Sequence, residues 1–323
     1  MLTDRFGRHI DYLRLSVTDR CDLRCSYCMP DDFKGFEEPR HWLAFDEIER
    51  VVRAFARLGL QRIRLTGGEP LVRKNVHELA ARISAIPGIT DLSLSTNGTQ
   101  LEKKAQALRA AGVTRLNVSL DTLDPSRFAA ITKRDALDRV LRGLMAARHA
   151  GFVPIKINMV AIAGATGEEI DAMVAFCIDQ RFVLRLIEVM PVGDTGRNVA
   201  PMSLGPIQER LRSRFDLIDG IVPGAGPARY LVSRDGQFQI GFITPISQHF
   251  CDTCNRVRLS VDGILYLCLG QNDKVDLRTP LRAGCSDDQL EALLRDAIQR
   301  KPLRHEFGEL PARIMRFMSS VGG

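Results

Sequence analysis

Starting at residue 12, short runs with an apolar residue at every second position alternate with longer stretches in which apolar residues return every third or fourth position. The first rhythm belongs to a strand with one face on a core, the second to an amphipathic helix. YLRLSV (12–17), QRIRLT (61–66), DLSLST (91–96), RLNVSL (115–120), IKINMV (155–160) and LRLIEVM (184–190) read as strands. Helices are predicted between them, first FDEIERVVRAFARLG (45–59) with its glycine stop, then stretches near 75–86, 101–111, 136–150 and 167–180. Such strand–helix units in series imply parallel strands with right-handed crossovers, in a barrel or an open sheet.

After Pro191 the rhythm changes. Residues 191–229 hold glycine, proline and one amphipathic stretch, IQERLRSRF (207–215). ARYLVS, FQIGFI, RVRLSV and ILYLCL then follow as short alternating runs, joined at Asp235-Gly236 and Asp262-Gly263, which are hairpin signals. A small antiparallel portion is expected there.

The polar half of the strand rhythm is unusual. Barrel strands normally fill their lumen with Val, Ile and Leu. Here Arg14 and Ser16 share one face, as do Arg62, Arg64 and Thr66, Asn117 and Ser119, and Lys156 and Asn158. Leu13, Leu15, Ile63, Leu65, Leu116, Val118, Ile155 and Ile157 make up the other faces. A buried guanidinium without a partner is costly. The polar faces must therefore meet solvent or an anionic ligand, and the cysteines at the end of the first strand favour a ligand-filled cavity over an idle wet lumen.

The bulk composition narrows the class. The chain has 323 residues, 45% of them hydrophobic and 26% charged, and a net charge of +6. No stretch approaches the roughly 20 apolar residues of a membrane span. The charged N-terminal stretch lacks the apolar run of a secretory signal, so a cytoplasmic protein is expected. In a reducing compartment its eight cysteines are not expected to form disulfides. Six fall into two tight groups, while Cys177 and Cys285 stand alone and read as buried or stray thiols.

Cys21-Asp-Leu-Arg-Cys25-Ser-Tyr-Cys28 directly follows the first strand, on the rim where βα folds keep their active sites. A 4Fe-4S cubane takes four thiolates, and this group offers three, leaving one iron for a small molecule. Zinc is the competing reading, but His9 and His41 lack ligand-like spacing. The CxxxCxΦC pattern, with Tyr27 as its aromatic residue, resembles the radical S-adenosylmethionine superfamily. Thr66-Gly67-Gly68-Glu69-Pro70 after the second strand matches that superfamily's GGEP stretch, where glycines let backbone approach a ligand. Ser95-Thr96-Asn97-Gly98 and Ser119-Leu120-Asp121 add polar groups to the same rim. The resemblance implies contacts to S-adenosylmethionine from Tyr27, Gly68, Ser119 and Met190.

Cys251-Asp-Thr-Cys254 and Cys268 form the second group. Zinc competes more fairly here, since one added ligand such as His249 would complete its shell. CxxCNRxRL, a DG turn and the Cys268-Leu269 pair, together with the opening DxxGRxxxYLRLSVTDRC and the final Gly322-Gly323, resemble the molybdenum-cofactor biosynthesis protein A family, the GTP 3′,8-cyclases. That resemblance runs nearly end to end. It implies an α/β fold: a partial (βα)6 TIM-type barrel over 1–229, with 191–229 as a connecting segment. A C-terminal antiparallel β portion, 230–323, would carry the second cluster and close the barrel mouth.

The same resemblance implies two 4Fe-4S clusters, the second binding the guanine of GTP. Arg14, Arg64, Thr96, Lys156, Arg256 and Arg258 would contact GTP, and Arg185 joins the cations of the cavity. Bidentate arginines suit phosphate oxygens. A 5′-deoxyadenosyl radical would take hydrogen from ribose C3′, and the C3′ radical would attack guanine C8. Arg256, Arg258 and the tail glycines Gly322 and Gly323 are the implied catalytic contributors. Implied partners are a reductant such as flavodoxin and a downstream cyclic pyranopterin monophosphate synthase. A homodimer is compatible with the chain; neither nucleic acid nor membrane is expected.

One register follows from geometry alone. Arg256 and Arg258 share a strand face. A two-residue Asp262-Gly263 turn would set Val257 opposite Cys268, whereas a three-residue loop, Val261-Asp262-Gly263, sets Arg256 opposite it. The three-residue loop is predicted. The rival functions are a peptide-modifying radical enzyme with an auxiliary cluster and a non-enzymatic zinc or iron–sulfur module. The arginine-rich lumen and the few auxiliary cysteines speak against the first, and the dispersed arginines and scarce aromatics, 6% of residues, against the second.

Overall fold

The fold is available as a computed structural model, in which residues 1–29, 39–222, 226–307 and 317–322 are described. Six parallel strands lie side by side in chain order: β1 (Tyr12–Ser16), β2 (Arg62–Thr66), β3 (Asp91–Thr96), β4 (Arg115–Ser119), β5 (Ile155–Ala161) and β6 (Val183–Glu188). The crossovers are α1 (Phe45–Arg57), α2 (Val76–Ser84), α3 (Leu101–Ala110), α4 (Pro125–Thr132), α5 (Leu137–His149) and α6 (Gly167–Gln180). This sequential parallel order is that of a partial TIM-type barrel. Side-chain caps start α6, an expected helix, and α4, which the sequence pattern does not predict. Thr166 and Glu169 cap α6 reciprocally, at 3.2 and 2.8 Å, and Asp124 caps α4 ahead of Pro125.

The apolar strand faces pack outward on the helices. Leu13, Leu15, Ile63, Leu65, Leu116, Val118, Ile155 and Ile157 join Ile48, Val51, Val52 and Phe55 of α1 in one buried core. Each such side chain contributes about 2 kcal/mol, which lets the inner face carry Arg14, Ser16, Thr66, Ser93, Asn117, Lys156 and Arg185, all buried. Cys177 lies inside the core and Cys285 packs on its edge, as expected of isolated thiols.

The late strands differ from the expected separate antiparallel portion. After α7 (Gly193–Arg197) and α8 (Leu204–Arg214) come β7 (Leu217–Gly220), β8 (Arg229–Ser233), β9 (Gln239–Ile243), β10 (Arg256–Leu259), β11 (Ile264–Tyr266) and β12 (Lys274–Asp276). They divide between the two edges of one twelve-stranded sheet, ordered β12-β11-β10-β1-β2-β3-β4-β5-β6-β9-β8-β7. β10 pairs parallel with β1 and β9 parallel with β6; each then carries two antiparallel strands. Hairpin signals report neighbouring runs but say nothing of which outside edge the pair will meet. The segment after β12 forms α9 (Arg278–Arg282), α10 (Asp287–Gln299) and α11 (Met318–Val321). Arg50 reaches Asp287 at 2.8 Å and Arg57 pairs with Glu291, tying α10 to α1.

The predicted loop is present. Arg258 pairs with Tyr266 and Leu259 with Leu265, and Ser260 N donates to Ile264 O at 2.9 Å across Val261-Asp262-Gly263. The same register sets Arg256 opposite Cys268.

Candidate active site

Cys21, Cys25 and Cys28 follow β1 at the carboxyl end of the sheet. Their loop is held from three sides. The Arg24 and Ser26 amides donate to the Thr132 and Ile131 carbonyls at the end of α4, at 2.9 and 3.0 Å. Asp22 accepts from Asn97 Nδ2 at 2.7 Å and from Thr99 Oγ1 at 2.6 Å, latching the loop to the tip of β3. Tyr27 donates its hydroxyl to Asp121 at the tip of β4, at 2.7 Å, and Asp121 also accepts from Val160 N at 2.8 Å.

The glycines of the GGEP stretch serve this loop. Gly68 N donates to Thr18 O at 2.9 Å, and Glu69 N to Arg20 O at 2.7 Å. A Cβ on Gly67 would stand 2.2 Å from Thr18 O, and one on Gly68 2.3 Å from Arg20 O. Only glycine lets β2 abut the backbone that leads into Cys21. Glu69 is fully buried; its carboxylate accepts from Leu71 N, Thr96 Oγ1 and Asn97 N at 2.9, 2.8 and 2.6 Å. Burial, with Asp22 nearby, still pushes its carboxyl up to about 8.

All three thiols are pushed upward. Burial acts first on each; Glu69 adds to it at Cys21, Cys28 and Asp121 at Cys25, and Asp121 at Cys28, which reaches about 12. As bare thiols they would stay protonated. Bound iron, by contrast, deprotonates a coordinating thiol outright. Three grouped thiols fit a cubane one thiolate short.

Cys251, Cys254 and Cys268 lie at the opposite end of the sheet. Cys254 precedes β10, which runs parallel to β1, and Cys268 is level with Arg256 and hence with Tyr12. The two trios are thus separated by a five-residue strand and its flanking loops, roughly 15–20 Å. Burial raises the Cys251 and Cys268 thiols. At Cys254 burial is outweighed by Lys301, Arg256 and Arg8, and the thiol lies below its ordinary value. This donor set too fits a cubane with one open iron. His249 lies outside the cavity lining, its ring edge-on to that of His305 at 6.0 Å.

One cavity runs along the inner face beside this second trio. Arg14, Arg64, Arg185, Arg256 and Arg258 line it, together with Met190 and the thiols Cys251, Cys254 and Cys268. Burial and then like charge depress the guanidinium of Arg185 to about 10 and that of Arg14 as well. Among the described residues several buried polar atoms without a partner point here: Tyr12 OH, Asn158 Oδ1, Arg185 Nε and Arg256 Nε. Buried polar groups are normally satisfied, so the cavity is built for a polar, anionic guest.

Other expected site residues are placed nearby but differently. Lys156 lines a neighbouring depression with Arg115 and Arg181, its Nζ 3.3 Å from the Tyr230 hydroxyl. Burial and then Arg185, Arg115 and Arg64 pull its ammonium down to about 7. The Thr96 hydroxyl is engaged with Glu69 and with Gly98 N at 3.0 Å, so it positions the rim. Ser119 ends β4 with its side chain exposed. Gly322 has φ +76, a left-handed value, and a Cβ there would fall 2.1 Å from Thr66 Cγ2. Its carbonyl accepts from Arg258, while the Ser319 amide donates to the Cys28 sulfur. The tail therefore lies at the first-trio end of the strands and reaches inward to Arg258, which is level with Arg14 midway along β1. Gly323 lies outside the described residues.

Two cations escaped the reading of the sequence. Lys301, 1% exposed, donates to Arg256 O at 3.0 Å and Leu267 O at 2.6 Å, beside two of the second-trio cysteines. Arg8 pairs with Asp4 at 2.6 Å and donates to the carbonyls of Cys251, Leu303 and Pro302. The opening DxxGR run carried Arg8 as a signal without a chemistry; Lys301 had none.

Residues 15–177 match the radical SAM superfamily model, and residues 182–307 match that of Molybdenum Cofactor Synthesis C. The chain belongs to the radical SAM superfamily. A GTP 3′,8-cyclase from Pseudomonas entomophila is 46% identical, over 100% of this chain and 98% of that one. One from Paracoccus denitrificans is 46% identical over 100% and 96%. Within the superfamily, then, the chain is a member of the GTP 3′,8-cyclase family. A solved structure of Streptococcus suis SuiB bound to S-adenosylmethionine shares the fold, with a TM-score of 0.66 at 15% identity, covering 88% of this chain and 68% of that one.

Proposed function

We propose that this chain is a GTP 3′,8-cyclase, joining ribose C3′ of GTP to C8 of its own guanine in the first step of molybdenum cofactor biosynthesis. The observation that carries the reading is the cavity itself. Five arginines meet on one inner face beside the second thiol trio, and the first trio follows the far end of β1, the strand that carries Arg14. A neutral peptide would leave that charge unbalanced, and a triphosphate balances it.

Cys21, Cys25 and Cys28 hold one 4Fe-4S cluster, and Cys251, Cys254 and Cys268 hold the other. Bound there, the first cluster would supply one-electron reducing chemistry for the cleavage of S-adenosylmethionine. The chain's own share is positioning. Tyr27, Gly68, Ser119 and Met190 shape the S-adenosylmethionine end. Arg14, Arg64, Arg185, Arg256 and Arg258, with Lys156, hold the phosphates and fix the nucleotide relative to that end. Thr96 acts through Glu69. Gly322, joined to Arg258, helps seal the lumen from water, and Arg256 and Arg258 assist protonation of the cyclised product. The added β9 and β10 edges wall the lumen on either side, 230–323 acting as the second-cluster portion. Among the described residues no helix is long and apolar enough to cross a membrane; a cytoplasmic site, a flavodoxin-type donor, a downstream pyranopterin synthase and a homodimer go with this reading.

The test is anaerobic reconstitution followed by reduction with S-adenosylmethionine and GTP. About eight irons per chain, 5′-deoxyadenosine and a cyclised nucleotide are expected. Tightly bound zinc without sulfide, or no 5′-deoxyadenosine, would sink the proposal.

A further inference from the structure

Tyr12 opens β1 two residues before Arg14, on the same inner face. In register it is level with Arg256 on one side and Arg62 on the other. Its side chain lines the cavity and is 5% exposed, yet among the described residues its hydroxyl has no hydrogen-bond partner. The Arg64 guanidinium stands 5.5 Å from its ring centroid. A tyrosine that merely filled a core would send its hydroxyl to water or to a carbonyl. The charged groups around this one, Arg64, Arg14, Arg256 and Arg185, are all donors, and none of them can accept its proton.

We infer that Tyr12 is a substrate-positioning residue whose hydroxyl donates a hydrogen bond to a phosphate oxygen of the nucleotide, while its ring sets the angle of Arg64. The inference rests on the GTP reading above. The class of acceptor follows from the surroundings. Arg14, Arg64, Arg256 and Arg185 all bear electrostatically on this phenol, and a neutral guanine edge would not compensate them. Phosphate oxygens would, and they accept from phenol and guanidinium alike. Such a bond forms only with ligand present, so the group is unsatisfied without it.

Equilibrium binding of GTP and of guanosine to the cluster-loaded enzyme, wild type against Tyr12→Phe, tests this. A hydrogen bond to a charged acceptor corresponds to about a tenfold rise in Kd for GTP. Guanosine affinity should not change, and the melting temperature without ligand should not fall, because the substitution breaks no bond. An unchanged GTP affinity would overturn the inference and mark the hydroxyl as solvated. An equal loss for both ligands would overturn it too, placing the hydroxyl at base or ribose. If wild type itself failed to bind GTP, the functional reading would fail first and take this inference with it.

Discussion

The two thiol trios are alike in composition and opposite in surroundings. Around Cys21, Cys25 and Cys28 the charged side chains that act on the thiols are Glu69, Asp121 and Asp22, and burial together with them pushes every thiol up. Around Cys254 they are Lys301, Arg256 and Arg8, and that thiol is pulled down. An acidic surround suits a guest with a sulfonium and an ammonium, as S-adenosylmethionine has. A basic one suits a triphosphate. On the proposed reading, charge alone would sort the two substrates to opposite ends of the strands.

Removing a thiol should break the comparison most completely. Cys25→Ser should cost the first cluster, leaving about four irons instead of eight, with no 5′-deoxyadenosine formed. Cys254→Ser should cost the same iron yet keep reductive cleavage of S-adenosylmethionine, uncoupled from any nucleotide product. Identical behaviour of the two variants would mean the ends do not divide the work.

Gly68→Ala sharpens it without touching a thiol. The new Cβ would meet Arg20 O at 2.3 Å, against backbone rather than a flexible tip. The loop into Cys21 must shift, so the first cluster should be lost while the second remains. Iron near four per chain, with the spectrum of the Cys25→Ser protein, is the expected result. Full loading would show that the GGEP stretch has slack the distances do not suggest.

Much of this was readable beforehand, and what was missed shares a cause. The strand–helix alternation, the polar strand face and the three-residue loop before Ile264 all follow from local period and parity. α4 did not, because eight residues are too few to display a helical period; only its Asp124-Pro125 start announced it. Yet α4 is what holds Arg24 and Ser26. The attachment of β9 and β10 to opposite edges is a non-local choice that no window of sequence carries. Lys301 is invisible for the same reason: its partners are carbonyls 45 and 34 residues away.

Glu69 gives the first end a pH signature. Its ordinary value is 4.5 and burial raises it to about 8 in the folded chain. An acid with a raised folded value stabilises below the unfolded value and loses that contribution as pH rises through the folded one. Cluster-free protein should therefore weaken between about pH 4.5 and 8, by up to roughly 5 kcal/mol from this group. Glu69→Gln, which cannot ionise, should flatten the slope in denaturant titrations across that range. A slope unchanged in Glu69→Gln would assign it to other groups.

The smallest effect discriminates between the ends by sign. With the lumen empty, Lys156 lies at about 7 and Glu69 at about 8, so near neutral pH each end is partly discharged. A triphosphate raises the ammonium's proton affinity, and a sulfonium lowers the carboxyl's. GTP binding should take up a fraction of a proton at pH 7.5, and S-adenosylmethionine binding should release one. Calorimetry of the cluster-loaded enzyme in buffers of differing ionisation enthalpy reads both signs. Lys156→Met should abolish the uptake while leaving the release intact, because the charges that set each value lie on separate ends of the strands. Proton transfer of one sign for both ligands would mean the lumen is electrostatically a single site, and the division by charge would be lost.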